Sequence, residues 1–415
     1  MNKLLRCIGI CLGAVFAFGA AACGEGGDPP EKKLQPAPER AWADITTYGE
    51  AAAEAYLQPF WYTREIYDES VVMVGETASA SLLYLPSGSV TVRDYQLGVT
   101  YVEGRDYTVE GKTITRVAGG RLPYFEPDEY FLVSPNVAGV SIGVNASRCE
   151  FEFDENRYLY YGEGTSLTKN HVVVSYRTDE MWPGERPAGQ TDRTGKLIET
   201  LKTEKKGTIL YYGDSITVGC NASGTSYGGN VNPYLPSWPE LVASWLEKQY
   251  GAEIEVINKA VGGWQVSDGF ASYNTSVAPD AANTDLLVLA FGMNDAATAP
   301  ATYRGMIAEM TDRYLSANPE GTVLLVSPMN PNTQSTWVGN QSKFEAELEA
   351  VAAERDSVAV APVNTLFTAF ETMGKRTRDW LANNINHPND FGVRAYAQVI
   401  LKTLAGNDFC EEVYA

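Results

Sequence analysis

A serine that follows an apolar run and two histidines are the residues of this chain whose types first suggest chemistry. Ser215 lies in the pentapeptide 213–217, directly after the run 208–212, which is typical of a buried strand. A serine hydroxyl is a weak nucleophile until a base takes its proton, and imidazole suits that task at neutral pH. The chain has 2 histidines, so the base would be His171 or His387. The pentapeptide alone is also typical of an ordinary strand-to-helix turn with an N-cap serine.

Three further polar motifs stand at comparable positions later in the chain. The motif 258–264 (NKAVGGW) follows the second predicted strand, and 292–295 (GMND) follows the third. The motif 383–390 (NNINHPND) precedes the last predicted helix and contains His387. Open α/β sheets bind ligands beyond the carboxyl ends of their strands. Four polar motifs at one sheet edge are harder to explain by chance than one, so we expect a shared site.

The elements that must position these motifs alternate between strands and helices from residue 207 onward. Strands are predicted at 208–212, 253–257, 285–291, 322–327 and 358–361, and helices at 238–250, 303–315, 342–355 and 392–404. This alternation is typical of a parallel sheet that helices cover on both faces. We therefore assign residues 207–415 to one α/β domain.

The order and placement of the four motifs resemble the SGNH (GDSL-type) hydrolase family over residues 208–405. This resemblance implies a flavodoxin-like three-layer α/β/α fold and hydrolysis of acyl esters. It implies no cofactor. No metal is expected either, because the sequence has no CxxC pair and no His/Cys cluster with zinc-ligand spacing.

The resemblance also implies a role for individual residues. Ser215 matches the nucleophile, whose own N–H would donate to the oxyanion, and His387 matches the general base. Gly263 matches the oxyanion-hole glycine, with the adjacent Gly262 as the alternative, and Asn294 matches the oxyanion-hole amide. Removing one such donor typically costs about 3–4 kcal/mol of transition-state stabilisation.

One position departs from the family pattern. The family usually has Asp three residues before the catalytic histidine, and this chain has Asn384 there. An amide can orient an imidazole but cannot offset imidazolium charge, and the corresponding Asp-to-Asn change in a serine protease costs about 10⁴-fold in turnover. Three arrangements remain open: Asn384 orients His387, a backbone carbonyl does, or a carboxylate such as Asp379 or Asp390 does. We favour Asn384 or a carbonyl, because Asp390 is placed to cap the last helix.

Residues 45–181 have a different pattern, rich in Val, Tyr, Thr and Gly with short alternating runs. Strands are predicted at 79–85, 99–102, 107–109, 130–133, 140–144 and 171–176. Frequent turn signals and the lack of a long helical period favour an all-β sandwich, similar to a jelly roll. His171 lies on a mixed face of the last strand, where we expect a half-exposed structural histidine. Residues 182–206 are predicted to link the two domains.

The N-terminus has the pattern of a secretory signal. Two basic residues precede a short apolar run that ends at Cys23, and the small residues before this cysteine resemble a bacterial lipobox. We interpret 1–22 as a lipoprotein signal peptide, Cys23 as the lipidated residue and 23–44 as a flexible stalk. The protein would then be extracytoplasmic and bound to a membrane through this anchor alone. An ordinary secretory signal is the alternative.

Composition and charge limit the partners. The 415 residues are 44% apolar and 20% charged, which argues against a mainly disordered chain. The formal net charge of −20 repels phosphate backbones, so nucleic-acid binding is not expected. Besides Cys23, three cysteines follow the predicted signal, so at most one disulfide can form among Cys149, Cys220 and Cys410.

The domain order resembles two-domain carbohydrate esterases that remove acetyl groups from plant polysaccharides, so we expect an acylated polysaccharide or oligosaccharide as the substrate. Trp264, beside the predicted oxyanion glycine, could stack on a sugar ring, or could simply be a packing or rim residue. A lipase or lysophospholipase is one alternative, although the loop 220–230 is polar. An inactive surface glycan-binding lipoprotein is the other, with Asn384 as a mark of lost activity.

Overall fold

The computed structural model describes residues 33–132, 148–149 and 157–415. The predicted signal peptide, Cys23 and the strand predicted at 140–144 lie outside these residues. Within the described ranges, no helix combines the length and the apolar character that a membrane span requires.

The strands of the described residues are β1 Glu65–Val72, β2 Ser79–Ser81, β3 Thr91–Asp94, β4 Tyr107–Glu110, β5 Thr113–Arg116, β6 Phe131–Leu132, β7 Arg148–Cys149, β8 Arg157–Leu159, β9 His171–Arg177, β10 Lys206–Gly213, β11 Glu253–Asn258, β12 Leu286–Ala290, β13 Thr322–Val326 and β14 Val358–Ala361. The helices are α1 Glu50–Tyr56, α2 Pro127–Tyr130, α3 Thr165–Thr168, α4 Thr191–Thr203, α5 Ser215–Val218, α6 Trp238–Tyr250, α7 Val266–Ser276, α8 Pro300–Ala317, α9 Phe344–Ala352, α10 Val363–Thr372 and α11 Asp390–Ala405. Short 3₁₀ turns include Thr377–Trp380.

The C-terminal half is built on a five-stranded parallel sheet in the order β11-β10-β12-β13-β14. This order is that of a flavodoxin-like doubly wound fold. Alternate residues of each strand enter two different apolar clusters: one face packs on α4, α6 and α11, and the other on α7, α8 and α9. The predicted three-layer α/β/α arrangement is confirmed.

The prediction that 182–206 is only a connection was wrong over half its length. Helix α4 occupies Thr191–Thr203 and packs on the parallel sheet through its buried residues Leu197, Ile198 and Leu201. The proline and glycine residues that suggested a linker are concentrated before this helix begins. The spacing of the three apolar residues gives α4 the one-sided apolar face of a helix that covers a sheet.

The N-terminal half is strand-rich, as predicted, and we call residues 45–181 the strand-rich region. Its described strands form three small antiparallel sheets, in the orders β1-β9-β3, β2-β5-β4 and β6-β8-β7. The predicted strand at 99–102 makes only an isolated bridge, between Thr100 and Arg93. His171 is 1% exposed rather than half-exposed, because β9 is the central strand of its sheet and is almost fully buried.

The strand-rich region and the α/β domain meet in a buried interface. Every residue of β1 is buried, and one apolar cluster contains residues of β1 together with residues of α10 and α11. Lys375 Nζ lies 2.7 Å from Glu69 Oε1, and both side chains are fully buried. Arg394 donates to the carbonyl oxygens of Tyr67 and Asp68, at 2.8 Å each. Buried charges need such partners, so these contacts fix how the two parts fit together.

The first described residues of the predicted stalk pack against the rest of the protein. Lys33 N donates to Ala415 O at 2.9 Å, and Leu34 forms an isolated bridge with Tyr414. Leu34 and Ala37 are partly buried against the main apolar cluster. The prediction of a flexible stalk was therefore wrong for residues 33–37, because Lys33 and Leu34 pair with the C-terminal residues and Leu34 and Ala37 pack on the apolar cluster.

Candidate active site

Ser215 is placed by a tight turn at the end of β10. Asp214 is the N-cap of the one-turn helix α5, and its Oδ1 accepts from Ile216 N at 3.0 Å. A Cβ added at Gly213 would come within 2.4 Å of both Ala290 O and Thr217 Oγ1, so only glycine fits there. Ser215 is the first residue of α5, and its side chain stands at the carboxyl edge of the parallel sheet.

The structure brings Ser215 and His387 together. Ser215 Oγ lies 2.8 Å from His387 Nε2, although 172 positions separate the two residues. A neutral imidazole that carries its proton on Nδ1 leaves Nε2 free to accept the serine proton. The other histidine, His171, lies in β9, and burial lowers its pKa to about 3.

The loop that carries His387 is organised by Asn383. Its Oδ1 accepts from the backbone N–H groups of Ile385, Asn386 and His387 at 3.1, 3.0 and 2.9 Å. Three N–H groups on one acceptor hold the loop in a tight turn. His387 is 9% exposed, so its imidazole is largely shielded from solvent.

The other ring nitrogen of His387 contacts two side chains that the sequence did not suggest. Nδ1 lies 2.8 Å from Asn221 Oδ1 and 3.2 Å from Glu163 Oε2. Asn221 belongs to the loop after α5, whereas Glu163 belongs to the strand-rich region, between β8 and α3. No motif pointed to them, since Glu163 is one of 52 acidic residues and the loop of Asn221 shows only polar composition.

The predicted contact between Asn384 and His387 is not formed. Asn384 Oδ1 accepts from Tyr130 Oη at 2.5 Å and from Asn332 Nδ2 at 2.9 Å. Its Nδ2 donates to Tyr160 O at 3.0 Å. The backbone at Asn384 has φ +68°, a left-handed conformation that asparagine tolerates and that turns its side chain toward these partners. Asn384 thus joins the His387 loop to the strand-rich region instead of orienting the imidazole.

The two carboxylates considered as alternatives also bond elsewhere. Asp379 Oδ1 accepts from Val72 N at 2.9 Å, and Asp390 Oδ1 accepts from Ser223 N at 2.8 Å. Asp390 was also predicted to cap the last helix, and that prediction was wrong. The cap of α11 is Asn389, whose Oδ1 accepts from two N–H groups of the first turn.

Of the predicted oxyanion-hole groups, Gly262 is the one that the structure places next to Ser215. A Cβ added at Gly262 would lie 3.9 Å from Ser215 Cβ, while Gly263 has φ +80° and open space beside it. The N–H groups of Ser215 and Gly263 donate to no protein acceptor within the described residues. Asn294 Nδ2 donates to Trp264 O at 2.9 Å, which uses one of its two hydrogens and leaves the other for a ligand.

Two buried carboxylates support these loops. Asp295 accepts from Val266 N at 3.0 Å and from Thr298 Oγ1 at 2.9 Å, which ties the 292–295 motif to the start of α7. Burial raises the pKa of Asp295 above its ordinary value. Burial also raises the pKa of Asp214 to about 7, against the lowering effects of the Ile216 N–H and of His387.

Tryptophans border this part of the sheet edge. Trp264 is half-buried and packs edge-on against Tyr212, with ring centroids 6.1 Å apart. Trp337 is also half-buried, and its Nε1 donates to Met293 O at 3.1 Å. Among the residues that the structure describes, no group of three or more His, Cys, Asp or Glu side chains could hold a metal ion.

Comparison with solved structures finds similar folds at low identity. The acetylxylan esterase Axe2 from Geobacillus stearothermophilus is 19% identical, with a TM-score of 0.39, and the alignment covers 48% of this chain and 94% of that chain. A two-domain esterase active on acetylated mannans is 20% identical, with a TM-score of 0.43 and 54% of each chain covered. LAE5, an α/β hydrolase from the metagenome of Lake Arreo in Spain, is 20% identical, with a TM-score of 0.38 and coverage of 47% and 93%.

No curated protein matches the chain. The model of the GDSL-like lipase/acylhydrolase family matches residues 211–395. This range begins inside β10 and contains Ser215, Asn294 and His387. Residues 211–395 therefore form a domain that matches the GDSL-like lipase/acylhydrolase family.

Proposed function

We propose that this protein is a serine ester hydrolase that removes short acyl groups, above all acetyl groups, from carbohydrate. The observation that carries the proposal is the 2.8 Å contact between Ser215 Oγ and His387 Nε2 in a domain of an acylhydrolase family. Free hydrogen-bond donors beside the serine support it, because acyl transfer needs them where negative charge develops.

In the proposed reaction, Ser215 Oγ attacks the ester carbonyl carbon while His387 Nε2 takes the serine proton. The carbonyl oxygen becomes an oxyanion, which accepts hydrogen bonds from Ser215 N, Gly263 N and the free N–H of Asn294. Collapse of this intermediate breaks the ester C–O bond, and the departing alcohol takes the proton from Nε2. Water then attacks the acyl-serine with His387 again as the base, which releases the acid and restores Ser215.

Polar surroundings support a hydrophilic substrate over a long acyl chain. The loop after α5 is rich in Asn, Ser, Thr and Gly, and its Tyr227 side chain is 56% exposed. This loop runs beside the Glu163 segment, since a Cβ added at Gly164 would lie 3.8 Å from Tyr227 O. An exposed aromatic ring and the half-buried Trp264 offer faces on which a sugar ring could stack.

Hydrolysis of p-nitrophenyl acetate tests the reaction, with p-nitrophenyl octanoate as the chain-length comparison. We expect wild-type protein to prefer the acetyl ester, and the Ser215→Ala and His387→Ala variants each to lose nearly all of the activity. A preference for octanoate would indicate a lipase-type enzyme. Glycan binding by wild-type protein without any ester hydrolysis would instead support the inactive binding protein.

Acetate release from acetylated xylan, mannan and pectin tests the carbohydrate part of the proposal. We expect one of these polymers to be deacetylated faster than the others, and Ser215→Ala to release no acetate from it. Hydrolysis of p-nitrophenyl acetate without acetate release from any of the polymers would contradict a polysaccharide substrate while leaving the esterase reaction intact.

We further propose that the protein is extracytoplasmic and anchored through a lipid on Cys23. The support is the N-terminal sequence alone, in which two basic residues and an apolar run precede this cysteine. Expression in a bacterial host with labelled palmitate tests this proposal, with Cys23→Ala as the control. Label in the wild-type protein that is absent from the variant is the expected result, and an unlabelled wild-type protein would contradict it.

A further inference from the structure

The Nδ1 side of His387 faces a residue from outside the α/β domain. Glu163 lies between β8 and α3, in the strand-rich region, and its Oε2 is 3.2 Å from Nδ1. It precedes the family-matched range 211–395, so the family's own sequence pattern does not include it. The family position that usually holds the supporting acid is Asn384, which bonds to other groups.

Asn221 and Glu163 present two acceptors to one donor. Nδ1 carries a single proton in the tautomer that leaves Nε2 free, and Asn221 Oδ1 at 2.8 Å is the nearer acceptor. Asn221 Oδ1 faces the ring, and its Nδ2 is buried without a hydrogen-bond partner among the described residues. A neutral amide oxygen fixes the tautomer, but it supplies no charge when the imidazole becomes an imidazolium.

Glu163 supplies that charge, and its second oxygen is held by other groups. Tyr161 Oη donates to Oε1, and Asn383 Nδ2 donates to the same atom at 3.2 Å. Burial tends to raise the pKa of Glu163, but hydrogen bonds and charge from His387, with the bonds from Tyr161 and Asn383, lower it to about 2. The carboxylate is therefore ionised throughout the pH range of an esterase assay, although its side chain is 40% exposed.

The strand-rich region also holds the loop on which His387 sits. Tyr130 and Tyr160 bond to Asn384, three residues before the histidine. Ile385 is 1% exposed and packs in an apolar cluster whose other buried members all come from the strand-rich region. The position of Glu163 relative to the imidazole is therefore fixed by several contacts on both sides.

We propose that Glu163 and Asn221 together position His387: Asn221 sets its tautomer, and Glu163 stabilises the imidazolium that forms during the reaction. The strand-rich region thereby completes the active site. This inference rests on the proposed ester hydrolysis, because it assigns the two residues a role in that reaction. Glu163 is a positioning residue, since it touches the base and not the reacting ester.

The central test compares Glu163→Gln with wild-type protein and with Glu110→Gln, an exposed glutamate of β4, as the matched control. We expect Glu163→Gln to lower kcat by about 10- to 100-fold, less than for a deeply buried triad acid, because Asn221 still fixes the tautomer and solvent screens the carboxylate. KM should change little, and Glu110→Gln should behave as wild type.

The pH profile separates positioning from a purely structural role. Removal of the negative charge makes the imidazole easier to deprotonate, so the acidic limb of kcat/KM should move to lower pH in Glu163→Gln. Glu163→Asp keeps the charge and should recover part of kcat. A loss of activity that came only from a disturbed fold would leave the acidic limb in place, and Glu163→Asp would not recover activity.

A second measurement avoids dependence on one substrate. The rate at which a fluorophosphonate labels Ser215 reports directly how well His387 activates the hydroxyl, and it should fall in Glu163→Gln in proportion to kcat. If Glu163→Gln keeps the wild-type kcat, labelling rate and acidic limb while Ser215→Ala is inactive, this inference is overturned and the hydrolase function stands. Absence of ester hydrolysis in wild-type protein would overturn both.

Discussion

The α/β domain and the strand-rich region contribute to the candidate site in different ways. The α/β domain supplies Ser215, Asn294 and the glycine pair from loops at one edge of a parallel sheet, where strand direction alone brings them together. The strand-rich region supplies Glu163 and Tyr130, which reach His387 and its loop only because the two parts are packed against each other. Regular elements place the reacting groups, and an interface between regions places the groups that support the base.

The largest expected effect tests whether the two regions form one folding unit. Lys375→Met leaves the charge of Glu69 buried without its partner, which should lower the free energy of unfolding by about 3–5 kcal/mol. Glu69→Gln added to Lys375→Met removes the unpaired charge and should recover part of this loss. Urea unfolding followed by tryptophan fluorescence and by esterase activity measures both. Two separate transitions in wild-type protein would show that the regions fold independently.

The second-largest expected effect concerns a residue at the carboxyl edge of the parallel sheet. Asn294→Ala removes one predicted oxyanion donor and should lower kcat by about 10²–10³-fold with little change in stability. Steady-state kinetics with p-nitrophenyl acetate measures the loss, and the free energy of unfolding serves as the control. A kcat within twofold of wild type would remove Asn294 from the proposed oxyanion hole.

The third prediction concerns the pH dependence of stability that His171 gives to the strand-rich region. In the folded protein burial lowers the pKa of His171 to about 3, whereas in the unfolded chain the imidazole takes up a proton below its ordinary pKa of 6.5. Stability is therefore lost as pH falls from 6.5 toward 3, by about 2 kcal/mol at pH 5. His171→Leu should remove this loss, because the other titrating groups are the same in both proteins. Urea unfolding at pH 7 and pH 5 gives the comparison, and equal pH dependence in both proteins would contradict it.

The smallest expected effect concerns Asn384, the position at which this chain departs from the family pattern. Asn384→Asp restores the family's acid in sequence, but the side chain lies among Tyr130, Asn332 and Tyr160, so kcat should not rise. An oxygen in place of Nδ2 would face Tyr160 O without a hydrogen, which should cost about 1 kcal/mol of stability. Kinetics and thermal unfolding check both parts, and a raised kcat would return Asn384 to the role of orienter.

The sequence predicted the helices and strands of the α/β domain well where capping residues and apolar periodicity indicate the same element. The helix predicted at 238–250 is α6, which begins with a Ser237 capping box and ends at Gly251 in the left-handed conformation. The strand predicted at 358–361 is β14. Helix α7 was missed because Gly269 and several polar residues obscure its period. Local sequence patterns therefore predict a helix or strand well when its capping residues and its apolar face are all evident within the segment itself.

The residues of the candidate site also differ in how well the sequence predicts their positions. The position of Ser215 and Asn294 follows from the rule that parallel strands present their carboxyl ends at one edge. The contacts of His387 with Glu163 and Asn221 join residues 224 and 166 positions apart, and they depend on packing between loops. A single sequence contains no local signal for such contacts, whereas the prediction of Asn384 came from its family position three residues before His387.

The buried Glu69–Lys375 pair has a consequence for how a polymer would reach Ser215. A hinge between the two regions would have to expose both charges and pull Glu163 away from the imidazole, so we expect no clamshell opening to admit substrate. Entry is left to the outer rim, where Gly262 and Gly263 are exposed. If the proposed polysaccharide is the substrate, entry from an exposed rim would not require threading of a chain end, and acyl groups in the middle of a long chain would be accessible.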